Sequence, residues 1–247
     1  MKSLTKTESA WKIIPGPVYE DAVYRSPLLL SVFEHELALI RGRVTPSICV
    51  VEVGCGTGKF CLTFADDARM TVGVDVSRHF LDLLMKHSSP ARRLFAVEGN
   101  AANLREVLAD DRRLDSDYHE SPKLFACVMN TLGIMPEQSR REVVREMCAS
   151  LSPDDSLLLT VFNREFFGQA VREFYAAHPE LCGVIEPGDV DSAKAELHVR
   201  STGYFSHWFS EAELSELVTS TGLKRIHIST EGPGLHLTSG PMFQNIE

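Results

Sequence analysis

Residues 50–60 read VVEVGCGTGKF, and this stretch decides the fold. An apolar run carries an acid at Glu52, and glycines follow at alternate positions, at Gly54, Gly56 and Gly58. Glycine takes positive φ without a steric penalty, so such a loop can turn a parallel strand into a helix within a few residues. A ligand can lie against the bare backbone, at the positive end of the helix. The stretch predicts a strand, a ligand-binding turn and a helix.

A second apolar run ends in an acid at residues 70–75, which read MTVGVD. It predicts a parallel strand beside the first one and places the Asp75 carboxylate at the same edge of the sheet as the glycine loop. A carboxylate in this position can accept hydrogen bonds from both hydroxyls of a ribose. The whole unit therefore predicts a site for a nucleoside-like cofactor.

The spacing of the loop differs from the G-x-G-x-x-G fingerprint of dinucleotide-binding proteins. It resembles motif I of the class I S-adenosylmethionine (SAM)-dependent methyltransferases, which reads (D/E)-x-G-x-G-x-G. The match is complete at Glu52 and at the three glycines, and Asp75 stands where that family has its ribose-binding acid. The resemblance is motif-specific over residues 50–75, and as a pattern of strands and helices it covers residues 19–243.

The resemblance implies the fold. We predict an α/β protein with a Rossmann-like, doubly wound, seven-stranded and mainly parallel sheet, a terminal antiparallel hairpin and a small inserted cap. The expected plan is a disordered N terminus at 1–18 and a single methyltransferase domain at 19–247. Within this domain we expect a helical lid at 19–44, broken near Pro27, and a substrate cap at 163–200.

The connections and the C-terminal part contain further expected elements. The charged stretch 110–122 is typical of an exposed loop. Residues 195–205 predict one strand, and residues 224–230 and 235–243 predict the terminal hairpin. Residues 210–213 have the form of a capping box, which opens a helix.

Ligands of open α/β sheets bind at the carboxyl ends of the strands, and this rule selects the other cofactor candidates. Asn100 follows the third predicted strand, where the family often has an Asp that binds the adenine amino group; the Asn carbonyl can still accept that bond. Asn130 follows the fourth strand and either orients a ligand or caps a turn. The expected SAM-binding residues are Tyr19, Glu52, Gly54, Cys55, Gly56, Gly58, Asp75, Val76, Gly99, Asn100, Ala101, Met129 and Asn130.

The resemblance also implies methyl transfer by in-line displacement, which needs an oriented acceptor rather than a covalent nucleophile. No set of metal ligands follows the fourth predicted strand, so we expect a metal-free reaction. The expected catalytic residues are His207 as a base, with Tyr24 and Asn130 as positioning groups. Histidine titrates near neutral pH and suits this role, and the alternative for His207 is a half-buried side chain that holds a loop.

Aromatic residues of the cap, and of the segment that follows it, are expected to contact the acceptor. Trp208 either offers a cation–π face or packs in the core. Tyr19 and Tyr24 either contact SAM or substrate, or pack on a surface helix. The expected substrate-binding residues are Tyr24, Phe167, Tyr204, His207, Trp208 and His236.

Composition bounds the partners and the location. The chain has a formal net charge of −9 and no Lys/Arg-rich stripe, so nucleic acid is not expected as a partner. Residues 130–133 read NTLG, where base-methylating enzymes carry (N/D)-P-P-(Y/F). Neither a membrane-spanning stretch nor a secretory signal is recognised, and the six cysteines form no C-x-x-C pair. We expect a cytoplasmic enzyme with a small-molecule acceptor and no membrane partner.

Several alternatives stay open. A non-catalytic SAM-binding module would keep the same motif residues, and a protein methyltransferase would share the fold. An NAD(P)-dependent oxidoreductase would need a G-x-x-G continuation and a Tyr-x-x-x-Lys or equivalent, and neither occurs. The sequence does not separate N-, O- and C-methylation, and a homodimer is one expected oligomeric state.

Overall fold

The computed structural model of the protein describes residue 14, residues 16–88 and residues 92–244. The N terminus that was expected to be disordered, 1–18, lies mostly outside these residues, although a helix begins within it at Gly16. No helix in the described segments is both long and apolar enough to cross a membrane.

Two helices precede the sheet, α1 (Gly16–Arg25) and α2 (Pro27–Ile40). Ser26 separates them and caps α2, because its hydroxyl accepts a hydrogen bond from the Leu29 amide at 3.4 Å. Pro27 occupies the first turn of α2, where no amide hydrogen is needed. The expected break near Pro27 is therefore confirmed, and the role of the pair as a lid stays a prediction.

Strands and helices alternate along most of the described chain. The strands are β1 (Cys49–Val53), β2 (Met70–Asp75), β3 (Leu94–Glu98), β4 (Lys123–Cys127), β5 (Ser156–Phe162), β6 (Val190–Asp191), β7 (Glu196–Val199), β8 (Tyr204–His207), β9 (Ile226–Glu231) and β10 (Gly234–Ser239). The further helices are α3 (Lys59–Phe64), α4 (Arg78–Lys86), α5 (Leu104–Asp110), α6 (Ser116–Glu120), α7 (Glu137–Ser150), α8 (Phe167–Glu173), α9 (Pro179–Cys182) and α10 (Glu211–Thr219).

The central sheet has seven strands in the order β3-β2-β1-β4-β5-β10-β9. Strands β1 to β5 are parallel to one another, and β10 runs antiparallel to both β5 and β9. This arrangement confirms the predicted Rossmann-like fold with its terminal antiparallel hairpin. The chain direction also places the carboxyl ends of β1 to β5 at one edge of the sheet.

Helices cover both faces of this sheet, which explains why its central strands are apolar without alternation. On one face Val51 and Phe125 pack in a cluster with Val144 of α7. On the other face Val50 and Leu124, their neighbours along the strands, pack in a cluster that includes residues of α2 and α3. Side chains of successive strand residues point to opposite faces, so both clusters draw on the same strands.

The segment after β5 differs from the expected topology. The single strand predicted at 195–205 is wrong, because the chain turns after Val199 and returns as β8, pairing Val199 with Tyr204. Gly203 in this turn has φ +78°, a left-handed conformation that glycine adopts freely. Strands β6, β7 and β8 thus form a separate antiparallel sheet, while the role of 163–200 as a substrate cap stays a prediction.

The ends of this inserted segment lie side by side. Asn163 and Phe209 form an isolated parallel bridge. The Phe209 amide donates to the Phe162 carbonyl at 2.7 Å, and the Arg164 amide donates to the Phe209 carbonyl at 2.8 Å. The segment therefore leaves the sheet and returns to it at one place.

The predictions for two segments that connect strands had different outcomes. The stretch 110–122 is not only a loop, since it contains α6, whose Tyr118 is buried. Asp115 starts this helix by accepting a hydrogen bond from the Asp117 amide at 3.1 Å. The capping box predicted at 210–213 is confirmed, because Ser210 and Glu213 exchange both expected hydrogen bonds.

Candidate cofactor-binding site

The glycine loop after β1 adopts the backbone that its sequence predicts. Gly54, Gly56 and Gly58 have φ of +71°, +52° and +82°. A Cβ on Gly54 would lie 2.2 Å from Thr131 Cγ2, and one on Gly58 would lie 2.2 Å from Leu84 Cδ1. A Cβ on Gly56 would have no atom within 4 Å. Gly54 and Gly58 therefore allow close packing, whereas Gly56 faces open space.

That space is a cavity of about 1120 Å³ at the carboxyl ends of β1, β2 and β4, the place where open α/β sheets bind ligands. Most of the expected cofactor residues line it together. These are Tyr19, Glu52, Gly54, Cys55, Gly56, Asp75, Val76, Gly99, Asn100, Ala101 and Met129.

Other residues of the cavity wall were not in the expected set. They are Val23, Phe33, Thr57, Lys59, Phe60, Val74, Phe80, Val128, Thr131, Ile134 and Met135. Thr57 and Lys59 stand within and directly after the glycine loop, so their position in the motif was the available signal. The apolar members carry no chemical signal that separates them from ordinary core residues.

The Asp75 carboxylate is held at the cavity by backbone amides. Its Oδ2 accepts a hydrogen bond from Gly56 N at 2.9 Å, and its Oδ1 accepts one from Ser77 N at 2.8 Å. A carboxylate offers about four acceptor positions, so this geometry is compatible with two ribose hydroxyls. Asn100 uses its carbonyl oxygen to cap the 3₁₀ helix Ala101–Asn103, accepting from Ala102 N at 2.9 Å. An adenine amino group would have to share that oxygen.

Glu52 places a buried acid on the cavity wall. Its Oε2 accepts a hydrogen bond from Cys61 N at 3.0 Å, at the N-terminal turn of α3. Burial raises the pKa of this carboxyl to about 8, and the nearby Asp75 acts in the same direction, although the bonds from Cys61 oppose the shift. A cationic ligand would favour the charged form and be attracted by it.

Helix α1 lies beside the cavity, and three of its side chains either line the wall or contact residues of the wall. Glu20 accepts a hydrogen bond from the Thr57 hydroxyl in the glycine loop. The Lys59 ammonium lies 3.3 Å from the centroid of the Tyr24 ring, and its burial lowers the pKa of Lys59 to about 8. Tyr19 lines the cavity, and burial raises the pKa of its phenol. Tyr24 is half exposed and does not line the cavity.

The geometry meets the requirements of a cationic nucleoside cofactor, with a glycine cradle, a ribose acceptor and an acid for positive charge. The profile of the family described as methyltransferase domain matches residues 29–228 of this chain. The chain belongs to this family. The class expected from the sequence, a SAM-dependent methyltransferase with SAM as cofactor, is thereby confirmed.

Solved methyltransferase structures share the fold at low sequence identity. A SAM-dependent methyltransferase from Anabaena variabilis is 12% identical, with a TM-score of 0.60 and 96% of each chain covered. DhpI, solved in complex with SAM and HEP, is 15% identical, with a TM-score of 0.60 over 98% of this chain and 100% of that chain. Magnesium protoporphyrin IX methyltransferase from Synechocystis, with bound SAH, is 12% identical, with a TM-score of 0.56 over 94% and 98%. Among curated proteins none matches this chain.

Two expected cofactor residues of the methyltransferase lie behind the cavity wall rather than on it. Gly58 contacts Leu84 as described above. Asn130 is buried; its Oδ1 accepts from Phe162 N at 3.1 Å and its Nδ2 donates to the His207 carbonyl at 3.2 Å. Gly133 leaves room for this side chain, since a Cβ there would lie 2.3 Å from Asn130 Nδ2. Asn130 therefore connects β5 and β8, and its side chain does not line the cavity.

The Asn130 backbone belongs to a strained pair. Met129 and Asn130 have φ of 51° and 59°, and among the described residues Ala195 is the other non-glycine residue with positive φ. Such a conformation costs about 1–3 kcal/mol for each residue and persists only where neighbouring groups hold it. Met129 lines the cavity, so the strain lies at the cofactor site of the methyltransferase.

His207, the expected base, does not line the cavity at the carboxyl ends of the parallel strands. It lines a second cavity with Arg140, Glu196 and Glu213, and no residue of this second cavity lines the first one. His207 Nδ1 lies 3.4 Å from Glu196 Oε1, and Nε2 lies 3.8 Å from Glu213 Oε1. Burial, and secondarily Arg140, lowers the pKa of His207 to about 4. The physical reason is that β8 belongs to the separate sheet and not to the parallel sheet whose edge forms the cofactor site.

The other expected acceptor contacts are buried in a core between the inserted segment and the N-terminal helices. Trp208 is fully buried; its Nε1 donates to the Tyr175 hydroxyl at 3.0 Å, and its ring lies 4.8 Å from that of Phe162. Phe167 and Tyr204 belong to the same core. Of the two alternatives for Trp208, packing in the core is the one that its burial supports, because no face of the indole is accessible for a cation–π contact.

His236 is also fully buried, on β10. Its Nδ1 lies 3.4 Å from the Thr160 hydroxyl, and its ring lies 4.5 Å from that of His35. Gly234 provides the space, since a Cβ there would lie 2.5 Å from His236 Nε2. His236 thus does not line the cavity, and its expected contact with the substrate of the methyltransferase is not supported.

Proposed function

We propose that this methyltransferase transfers the methyl group of SAM to a nitrogen or oxygen atom of a small molecule, without a metal ion. The observation that carries this proposal is the single cavity that combines Asp75, Glu52 and the glycine loop with apolar walls. The same wall carries polar groups suited to a cofactor and apolar residues suited to an acceptor, which supports joint occupancy by the two.

The proposed cofactor contacts follow from the cavity wall. Asp75 would accept the ribose hydroxyls, and the bare backbone at Gly56 would lie against the cofactor. Glu52 would attract the positively charged ammonium and sulfonium groups of SAM, and the region of Asn100 and Ala101 would contact adenine. Bound SAM supplies a methyl group that its sulfonium already activates, so the transfer needs no covalent nucleophile from the protein.

The chain contributes mainly orientation and exclusion of water. Apolar residues at the end of β4 and after it, Met129, Ile134 and Met135, would hold the acceptor in line with the methyl group. Since His207 lies elsewhere, we propose that an amine acceptor reacts in its deprotonated form and that the site needs no dedicated histidine base. Among the described residues no three His, Cys, Asp or Glu side chains are grouped to hold a metal ion, which supports the metal-free form of the proposal.

The exclusion of nucleic acid as acceptor, the cytoplasmic location and the oligomeric state are proposals as well. The acidic net charge of −9 supports an acceptor that is not nucleic acid. The cysteines are free and mostly buried, which supports a reducing, cytoplasmic setting. A homodimer stays a prediction, to be checked by light scattering of the purified protein.

The test begins with calorimetric titration of the protein with SAM, S-adenosylhomocysteine (SAH) and NADH. Micromolar binding of SAM and SAH without binding of NADH is expected. Incubation with SAM and separate panels of small amines, hydroxy compounds, peptides and nucleic acids then identifies the acceptor by the mass of an added methyl group, with Asp75→Ala as the control. Methylation of peptides or nucleic acids alone would contradict the proposed acceptor class, and binding of SAM without any methylated product would favour a non-catalytic module.

A further inference from the structure

Helix α2 carries a buried acid that the cofactor site does not explain. Its buried residues are Leu29, Val32, Phe33, Glu36 and Ile40, the spacing of one apolar helix face. Glu36 is fully buried on this face, where an aliphatic side chain would normally stand. Burying a carboxyl group costs free energy unless it gains hydrogen bonds.

Glu36 makes a hydrogen bond to the strained end of β4. Its Oε1 accepts from Met129 N at 2.8 Å, although the two residues are 93 positions apart in the sequence. Its Oε2 has no partner of good hydrogen-bond geometry among the described residues, although the Thr160 side chain interacts with this carboxyl and lowers its pKa. Glu36 itself does not line the cavity, but Met129 does.

Hydrogen bonds also hold Asn130, the second residue with positive φ. Asn130 N donates to the Thr160 carbonyl at 3.2 Å, and the Asn130 side chain bonds Phe162 N and the His207 carbonyl as described above. Glu36 thus supplies the side-chain acceptor for the first residue of the left-handed pair, and Asn130 supplies the contacts for the second.

We propose that Glu36 is a positioning residue for methyl transfer, which holds the Met129 amide so that the left-handed turn after β4 forms the wall of the cofactor cavity. Its effect on the ligand is exerted through Met129. Burial raises the pKa of Glu36 to about 8, which agrees with a carboxyl that accepts from the amide while uncharged at neutral pH. This inference rests on the proposed function, because it assigns Glu36 a role at the same site.

The test compares Glu36→Leu with Glu36→Gln, with SAH affinity and melting temperature as the two readouts. Leucine matches the apolar helix face but cannot accept the amide hydrogen. Removal of this acceptor leaves the Met129 amide unpaired, so E36L should melt below the wild type. At a temperature where E36L is folded, it should bind SAH about tenfold more weakly. Glutamine retains an acceptor oxygen, so E36Q should bind within about threefold of wild type.

Glu34→Leu is the matched control, because Glu34 lies on the same helix but is exposed; it should bind SAH as wild type does. Normal binding by E36L would overturn the inference. An E36Q protein that is folded but binds as weakly as E36L would also overturn it, since an acceptor would then not be sufficient. Failure of the wild type to bind SAH would instead reject the proposed function.

A second comparison uses glycine, which adopts positive φ without strain. In a Met129→Gly background the turn no longer needs the Glu36 acceptor, so adding E36L should weaken SAH binding by less than threefold and leave the protein folded even if E36L alone does not fold. A full tenfold loss in this background would show that Glu36 does not act through the Met129 backbone.

Discussion

The two cavities of this methyltransferase differ in how their charges are compensated. In the cofactor cavity, the Glu52 and Asp75 carboxylates accept hydrogen bonds from backbone amides, which carry no net charge. In the second cavity, acids face basic side chains: Glu137 pairs with Arg141 at 2.9 Å and Glu213 with Arg164 at 3.5 Å.

The comparison teaches which cavity can bind a cation. The Asp75 carboxylate, held by neutral donors, keeps a negative potential toward a ligand, and Glu52 adds to it once a cation favours its charged form. Paired side chains in the second cavity cancel much of their potential. His207 lies between Glu196 and Glu213, in the cavity whose acids face basic side chains. We therefore expect changes in the cofactor cavity to affect ligand binding and changes in the second cavity to affect stability.

The largest effect is expected from Asp75. Hydrogen bonds to a charged acceptor contribute about 1.5–3 kcal/mol each, so Asp75→Ala should weaken SAH binding about a hundredfold or more. Asp75→Asn keeps the size and one acceptor oxygen and should lose less. Calorimetric titration measures both, and equal affinity of wild type and D75A would show that the ribose is bound elsewhere.

Substitutions of two glycines in the same loop should have smaller effects than Asp75→Ala, and the two effects should differ from each other. Gly58→Ala combines positive φ with a contact to Leu84 and should destabilise the fold by about 2 kcal/mol. Gly56→Ala has positive φ but open space, so it should cost about 1 kcal/mol of stability while weakening SAH binding. Chemical denaturation and titration together check this separation; a G56A protein that binds normally would show that the cofactor does not approach Gly56.

The pH dependence of stability tests the buried acid Glu52. Its ordinary pKa of 4.5 is raised to about 8 in the folded protein, so the folded state holds a proton that the unfolded state has lost between these values. The contribution of Glu52 to stability should therefore fall as pH rises from about 4.5 to about 8. Glu52→Gln cannot titrate, and its stability should fall less than that of wild type over this range. Parallel curves for the two proteins would contradict the assignment.

The smallest effect on binding is expected from His207. His207→Gln should bind SAH within about twofold of wild type, because the side chain lies in the other cavity. The pKa of His207 is lowered from 6.5 to about 4, so its contribution to stability is present above pH 6.5 and is lost as pH falls toward 4. The variant should lose less stability in acid, as thermal melts at several pH values will show. A large loss of SAH affinity would mean that the two cavities act together.

The sequence predicted the cofactor half of the fold because its signals are local. The glycine loop, the acid at Asp75 and the apolar strands around them each occupy a few adjacent residues. The role of Glu36 depends on a contact with Met129 across the fold. Its signal, an acid on an otherwise apolar helix face, was present but does not name the partner.

The inserted segment was predicted less well for a related reason. Strand pairing in a small separate sheet is set by contacts between distant residues, and the turn at Gly203 lies within a stretch whose local pattern is that of one continuous strand. Once β8 is assigned to that sheet, His207 points away from the cofactor edge. The aromatic residues Phe167, Tyr204 and Trp208 then have partners in a core rather than a ligand.

The bridge between Asn163 and Phe209 gives the inserted segment the character of an exchangeable module. Because its two ends meet at one point of the sheet, a segment of different length and sequence can join the same two positions without moving the strands that form the cofactor cavity. We therefore expect a chimera that carries a different segment between these two positions to keep the parallel strands and the cavity at their carboxyl ends.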